Sequence, residues 1–298
     1  MGAFFTSRIV SDILIGAAQG VLVGLIALSL VLIWQSTHVL NFAQGAMAMF
    51  AAFCGMTMLE HGLNYWVCVL ISLVAAMLLG GVTERVLVRP LYGKAEINSI
   101  VVMVGFLGIL ESGASSIWSG MARQLTSPLS QTYFTLGSKT LYLSPFSLFQ
   151  IGSALTLMLG VAALFRFTKI GLQLRASALA PEVSRLLGVR VNRMLTLGWI
   201  ISSAVGAFAA IIIATSGSGL FPSNMDGFFV FGFIAAAIGG LESPGGAILA
   251  GLLIGIIQTF VADYLSPSWV AFTPVLILVL SQLVRPAGIF TKNTTRRL

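Results

Sequence analysis

Apolar residues fall in continuous runs at about 11–33, 41–59, 65–88, 98–119, 145–167, 194–214, 228–241, 245–262 and 269–284, separated by polar links. Most runs are near twenty residues long, which is what a helix needs to cross a hydrocarbon layer about 30 Å thick. None shows the roughly ten-residue alternation of a transmembrane β-barrel strand. In lipid every backbone N–H and C=O must find a partner within the protein, so runs of this kind predict helices. The pattern predicts an all-α integral membrane protein, a polytopic bundle of about eight or nine transmembrane helices with broken or re-entrant segments. The first run is too long for the apolar region of a cleavable signal and is predicted as a span. No soluble domain fits anywhere along residues 1–298, which predicts a single membrane unit.

Composition strengthens this reading. Hydrophobic residues make up 57% of the chain and charged residues only 8%, against about 25% charged in a soluble domain. The net charge of +7 therefore bears on orientation. Nucleic acid is not an expected partner, because no soluble domain carries a basic patch. Segment 168–193 holds Lys169, Arg175, Arg185, Arg190 and Arg193 against Glu182 alone. The tail holds Arg285, Lys292, Arg296 and Arg297, and the link 89–97 holds Arg89 and Lys94 against Glu96. Lys and Arg gather on the cytoplasmic side of spans, so these links and the C-terminus are predicted there. If 41–59 crosses fully, nine crossings place the N-terminus outside. If it is broken or re-entrant, eight crossings place it inside, toward which Arg8 leans. Cys54 and Cys68 lie within apolar runs, as buried free thiols do, and no disulfide or zinc spacing appears; no metal site is predicted.

Three segments interrupt the apolar pattern in ways that could carry function. The first is Thr37 to Gly45, with Asn41, Phe42, Gln44 and Gly45 at its core. It reads either as an interfacial loop or as a broken helix whose polar backbone lines a pathway, since irregular backbone at membrane depth survives only where protein or a cavity surrounds it. The second runs from Lys169 to Val189. Pro181 suits the first helical turn and Glu182 its positive end. Val183, Leu186 and Leu187 form one apolar stripe and Gly188 fits a C-terminal cap. Two readings stand for this short amphipathic helix: it lies on lipid headgroups, or it docks a soluble partner. The third is the pair 228–241 and 245–262, joined by a tight turn at Gly239, Gly240 and Pro244-Gly245-Gly246. Glu111 is an ionisable residue in a span, a functional candidate unless its end is wetted. Glu84 and Arg85 read as a structural or interfacial pair. Gly16, Gly20 and Gly24 recur on one helix face, as do Gly251 and Gly255, which suits tight packing or, alternatively, a subunit or pore interface.

The chain has no Gly-x-x-x-x-Gly-Lys-Ser/Thr loop, no Gly-x-Ser-x-Gly and no His-Glu-x-x-His, so it is not expected to hydrolyse nucleotide or act as an enzyme.

Five elements, in order, resemble a known family. The stretch Ile33 to Gly45, with Asn41-Phe42-Ala43-Gln44-Gly45, is similar to the "INFAHG/INFAQG" signature of branched-chain amino-acid ABC transporter permeases. Glu84 to Gly93 resembles its "ER…RPLRG" element, and Arg175 to Val189 its "MRA…NPEAARLMGI" loop. Ala237 to Ala247 resembles "VLGGLGSIPGAVLGG", and Leu283 to Phe290 resembles the closing "LLRPQGLFG". The resemblance covers essentially the whole chain, and the length suits the shorter LivH type. Three departures stand out: Ala46 where an acid is usual, Ala180 before Pro181 where Asn is usual, and Glu242 where Gly is usual.

The resemblance implies one permease domain over 1–298, in a bacterial inner membrane. The subunit would serve an ATP-driven importer of branched-chain or other hydrophobic amino acids. It implies as partners two cytoplasmic ABC ATPases, a second, LivM-like permease and a periplasmic substrate-binding protein, all around a lipid bilayer. It implies no cofactor on this chain, ATP being bound by the partner subunits. Asn41, Phe42, Gln44, Gly45, Gly239 and Gly240 would line the substrate pathway. Arg175, Ala178, Pro181, Glu182, Val183, Arg185, Leu186, Leu187 and Gly188 would form the ATPase-coupling helix. The alternatives are a urea or short-amide permease of the same family, a stand-alone channel or ion-coupled carrier, and a scaffold without transport.

Overall fold

The computed structural model describes residues 2–136, 139–141, 143–217, 219–285 and 288–290, with side chains described outside residues 2–7 and 135–141. Lys292, Arg296, Arg297, Pro286 and Ala287 lie outside the described residues. Every predicted apolar run is a helix. They are α1 (Gly2–Thr37), α2 (Gln44–Glu60), α3 (Tyr65–Thr83), α4 (Glu96–Trp118) and α5 (Pro145–Phe167), followed after two short helices by the rest of the bundle. The short helices are α6 (Lys169–Leu179) and α7 (Pro181–Leu186); then come α8 (Val191–Thr215), α9 (Asn224–Gly239), α10 (Pro244–Tyr264) and α11 (Phe272–Val284). A two-stranded hairpin, β1 (Phe134–Leu136) and β2 (Lys139–Leu141), interrupts the link before α5. Six of these helices are long and apolar enough to cross a bilayer, fewer than the eight or nine expected. The shortfall lies in α2, α9 and α11, which have 17, 16 and 13 residues.

Two helices form the centre. Residues 20–33 of α1 and 209–215 of α8 are buried without interruption. A helix that is apolar on every side has no face to offer water and belongs inside a bundle or in lipid. α1 and α8 run antiparallel: Ser202 Oγ donates to the Ser29 carbonyl at 2.6 Å, and Trp199 Nε1 donates to Thr37 Oγ1 at 3.3 Å. α3 also runs antiparallel to α8, with Tyr65 against Thr215 at one end and Glu84 against Thr196 at the other.

Glycine sets the spacing. Lipid tails are as apolar as Leu, so close packing rather than hydrophobic burial holds membrane helices together. The two glycine stripes noted in the sequence meet one another within this chain. A Cβ on Gly16 would stand 2.6 Å from Ile256 Cα, and one on Gly20 would stand 2.8 Å from Leu252 Cα. A Cβ on Gly251 would stand 2.5 Å from Gly24 Cα, and one on Gly255 would collide with the backbone of Gly20. The order of these contacts makes α1 and α10 antiparallel. Of the two readings of the stripes, tight internal packing holds.

The bundle therefore has two distinct ends. One carries the end of α1, the π-helical turn Glu84–Val88 after α3, the loop helices α6 and α7, the start of α8 and the α9–α10 turn. The other carries the start of α1, the Glu60–Arg123 ion pair at 2.6 Å, the start of α5 and the Tyr264–Asp12 hydrogen bond at 3.0 Å. Glu84 does not pair with its neighbour Arg85: Arg85 is exposed, while Glu84 is fully buried and pairs with Arg89 at 2.8 Å. In an α-helix the residue five positions on sits about 140° around the axis. The π turn, with its i→i+5 bonding, brings Arg89 back over Glu84.

Leucine placed at Gly255 is expected to force α1 and α10 apart and to lower stability by about 1–3 kcal/mol or more. Gly105→Leu is the control, because its Cβ would meet nothing within 4 Å. Thermal unfolding of the two purified variants checks this; equal midpoints would contradict a packed seam.

Candidate functional site

The break between α1 and α2 spans residues 38–43. It begins at His38, whose φ of 52° turns the chain out of the helix, with its ring edge-on to Trp34 at 5.4 Å between centroids. The chain then re-enters the bundle at Asn41, 1% exposed, and Gln44, 0% exposed. Asn41 Oδ1 accepts from the Ala43 N–H at 3.0 Å, a local turn that starts α2. Asn41 Nδ2 donates to Gln44 Oε1 at 2.9 Å, and Gln44 Nε2 donates to the Ser202 carbonyl at 3.3 Å. Ser202 in turn reaches Ser29 on α1. One chain of polar contacts thus ties the broken helix to α8 and α1. Gly206 makes room for it, since a Cβ there would stand 2.5 Å from Gln44 Nε2.

Phe42 and Gly45 face the other way, onto α9. The Phe42 ring lies 6.1 Å from Phe229 and 6.5 Å from Phe233, and those two rings stack at 6.4 Å. A Cβ on Gly45 would stand 3.1 Å from the Met225 carbonyl. Asn41, Phe42, Gln44 and Gly45 are therefore brought together with α8 and α9. Gly239 and Gly240 are not among them: they close the far end of α9. Gly239 packs directly on the backbone of Gly246, and Gly240 has φ of 96°. The turn is held by Ser243, whose hydroxyl accepts from the Gly246 N–H at 3.1 Å. Gln35 of α1 donates to the Glu242 carbonyl at 2.8 Å, so the turn also reaches the end of α1. Glu111 of α4 faces Asp226 in the first turn of α9.

Ser202, Gly206, Phe229 and Phe233 were not singled out from the sequence. The Phe229/Phe233 pair at i, i+4 was a readable signal; Ser202 and Gly206 are ordinary small residues of a span.

Glu84 forms a second buried knot. It accepts from Arg89 Nε at 3.2 Å, from Arg89 at 2.8 Å through a second nitrogen, from the Tyr92 hydroxyl at 3.1 Å and from the Thr196 hydroxyl at 2.8 Å. Every acceptor site of a buried carboxylate is thereby engaged, as its desolvation requires. Burial, and next the Glu84 charge, holds the Tyr92 phenol above its ordinary range, so it remains a donor.

At the same end stands the loop segment. The structure divides it into α6 and α7 at Ala180, so Ala178 lies in the last turn of α6 and not in the helix that Pro181 opens. The reason is local: Pro181 disfavours helical backbone at the preceding residue, and Ala180 adopts φ −144°, ψ 76°. Gly188 ends α7 with φ of 82°. Its N–H bonds the Arg185 carbonyl at 3.0 Å and the Val189 N–H bonds the Ser184 carbonyl at 2.9 Å, a complete Schellman cap. α6 packs into the bundle through Leu174, which is 1% exposed, whereas Val183, Leu186 and Leu187 are 55%, 87% and 79% exposed. Arg175, Glu182 and Arg185 are exposed around this stripe.

Gln44→Leu is expected to leave buried partners at Asn41 and Ser202 unpaired and to cost about 1–3 kcal/mol, seen as a lower unfolding midpoint. Gln173→Leu, at an exposed position of α6, is expected to change stability by no more than about 0.5 kcal/mol. An unchanged midpoint for Gln44→Leu would contradict the polar tie.

Comparison with known proteins gives one consistent family. The model of the branched-chain amino acid transport system/permease component family matches residues 13–282. A probable branched-chain amino acid transport permease protein LivH of Methanocaldococcus jannaschii is 26% identical over 284 residues, covering 89% of this chain and 87% of that protein. The high-affinity branched-chain amino acid transport system permease protein BraD of Pseudomonas aeruginosa is 26% identical over 297 residues, covering 95% of this chain and 96% of that protein. Among solved structures, PsaBC from Streptococcus pneumoniae in complex with Fab shares the fold, with a TM-score of 0.50 and 13% identity over 93% of this chain and 91% of that chain. With the family model spanning nearly the whole helical bundle, the chain belongs to the permease components of branched-chain amino acid transport systems, as a multi-pass membrane protein.

Proposed function

We infer that this chain is the transmembrane permease subunit of an ATP-driven importer in a bacterial inner membrane, and that its cargo is a branched-chain or other hydrophobic amino acid. The observation that carries the coupling step is the bare apolar stripe of α7. A soluble loop helix that exposes Val183, Leu186 and Leu187 to 55%, 87% and 79% has apolar surface in need of a cover. A hydrophobic groove on a cytoplasmic ATPase supplies one, by the helix-in-groove mode of recognition. Arg175 and Arg185 stand at its rim, with Ala178, Pro181, Glu182 and Gly188 fixing its entry and exit. ATP binds to two such partner subunits, and this chain holds no cofactor of its own.

The orientation follows from charge. The end of the bundle with Arg89, Arg175, Arg185, Arg190 and Arg193 faces the cytoplasm by the positive-inside rule, as does the C-terminus after α11. On this reading there are nine crossings, with α2 and α9 starting within the bundle and the N-terminus outside; the antiparallel pairs α1/α8, α3/α8 and α1/α10 support it. Residues 1–298 act as one permease domain. A second, LivM-like permease faces the first across the membrane pathway, and a periplasmic binding protein delivers substrate to the outer end. Phe42 with Phe229 and Phe233 offers the apolar wall that an aliphatic side chain needs. The polar break at Asn41, Gln44 and Gly45 and the turn at Gly239 and Gly240 are the hinges that move when the loop helix is pulled.

Leu186→Asp tests the coupling. The side chain is exposed, so folding and membrane insertion are expected to be unchanged, while ATPase co-purification is lost and uptake in vesicles falls at least about tenfold, the equivalent of 1.4 kcal/mol of lost docking. Normal uptake by a stably inserted Leu186→Asp chain would falsify the coupling role.

A further inference from the structure

The start of α8 carries exposed cations, and among the described residues the one carboxylate beside them, Glu84, is already taken by Arg89. Glu84 is fully buried and held by Arg89, Tyr92 and Thr196, so it presents nothing to the surface. Arg85, on the π turn, and Arg193, in the first turn of α8, are both exposed and both line one groove of about 520 Å³ between α3 and α8. Among the described residues neither takes part in an ion pair. Arg89, paired with Glu84, and Asn192 and Thr196 complete the polar mouth, and Met194, Leu197 and Ile200 continue the groove down α8. These apolar residues recur at i, i+3 and i+6, so they form a strip descending one face of the helix toward the bilayer centre.

The depth of the groove matches a headgroup layer. Arg85 follows Tyr65 by twenty residues, about 30 Å along a helix, and Trp66 at the opposite end is 52% exposed, as an interfacial anchor is. Two guanidinium groups thus stand one hydrocarbon thickness from the far interface, above an apolar strip. Beside them Val82 and Val86 are 57% and 60% exposed, the lipid-facing surface of the same helix turn.

We propose that this groove holds the phosphate of an anionic phospholipid, with one acyl chain laid along Met194, Leu197 and Ile200. Guanidinium forks pair with phosphate oxygens bidentately, and basic pockets between helices at a membrane face suit anionic headgroups. The continuous apolar strip selects a lipid over a soluble phosphate, which would leave it uncovered. The site requires only that the chain spans a bilayer and is independent of ATPase coupling.

The test uses the full chain, purified in mild detergent and stripped of lipid, titrated with phosphatidylglycerol, phosphatidylcholine or glycerol 3-phosphate and read by native mass spectrometry. Wild type is expected to hold one phosphatidylglycerol in preference to phosphatidylcholine, with no competition from glycerol 3-phosphate. The double variant Arg85→Gln, Arg193→Gln is expected to bind it about 30-fold more weakly, the conversion of about 1 kcal/mol for each cation. The double variant Arg85→Lys, Arg193→Lys keeps both charges and is expected to retain most of the binding. Both positions are exposed, so unfolding midpoints without lipid are expected to match wild type. Equal binding of phosphatidylcholine, undiminished binding by the glutamine variant, or full competition by glycerol 3-phosphate would each overturn the proposal. So would loss of ATPase co-purification in the glutamine variant with lipid binding intact, which would make the groove a protein contact.

Discussion

A backbone amide in hydrocarbon has no water to turn to, and the main structural decisions in this chain answer to that constraint. It makes each apolar run a helix. It also makes any interruption at depth expensive, which is why the break before α2 is so thoroughly tied. Asn41 supplies the turn that the backbone lacks, Gln44 carries the connection to α8, and Ser202 passes it on to α1. The same constraint explains Glu84, a carboxylate tolerated at full burial because four donor contacts surround it.

Once the backbone is satisfied, helix-to-helix distance becomes the variable that matters, and glycine controls it. α1 reaches α10 through Gly16, Gly20 and Gly24 against Gly251 and Gly255, and reaches α9 through Gly232, where a Cβ would stand 2.5 Å from Ile26. Without these contacts the polar tie from Gln35 to the α9–α10 turn would lose its partner. Packing at the centre therefore fixes the positions of the helix break and the glycine turn at the two ends of α9.

The sequence made the helices, the break and the two ends legible, each for a physical reason. Apolar length set the helices, the polar residues at Asn41 and Gln44 marked the break, and arginine density distinguished the ends. The cap at Gly188 and the start at Pro181 were readable because each depends on one residue's backbone preference. What sequence could not supply was pairing between distant elements. Nothing local tells Gly20 that it meets Leu252, or Glu84 that its partner is Arg89 rather than Arg85; the first is tertiary and the second rests on a π turn with no distinctive composition. For the same reason the pathway candidates divided in two. Asn41, Phe42, Gln44 and Gly45 gather on α8 and α9, while Gly239 and Gly240 close a turn at the other end of α9.

Together these features describe a rigid, glycine-packed centre with a bare apolar helix at one end and a tied helix break beside it. α6 connects α7 to the bundle and is anchored by Leu174 beside the Gly198–Ser36 contact between α8 and α1. The direct measurement is accessibility of a Leu187→Cys thiol to a membrane-impermeant maleimide, in sealed inside-out vesicles and in intact cells, with and without the ATPase subunits. The native thiols Cys54 and Cys68 lie within the apolar helices α2 and α3. Labelling from the cytoplasmic face alone, with protection when the ATPases are present, is the expected result. Labelling from the outer face, or labelling indifferent to the ATPases, would contradict a cytoplasmic docking helix.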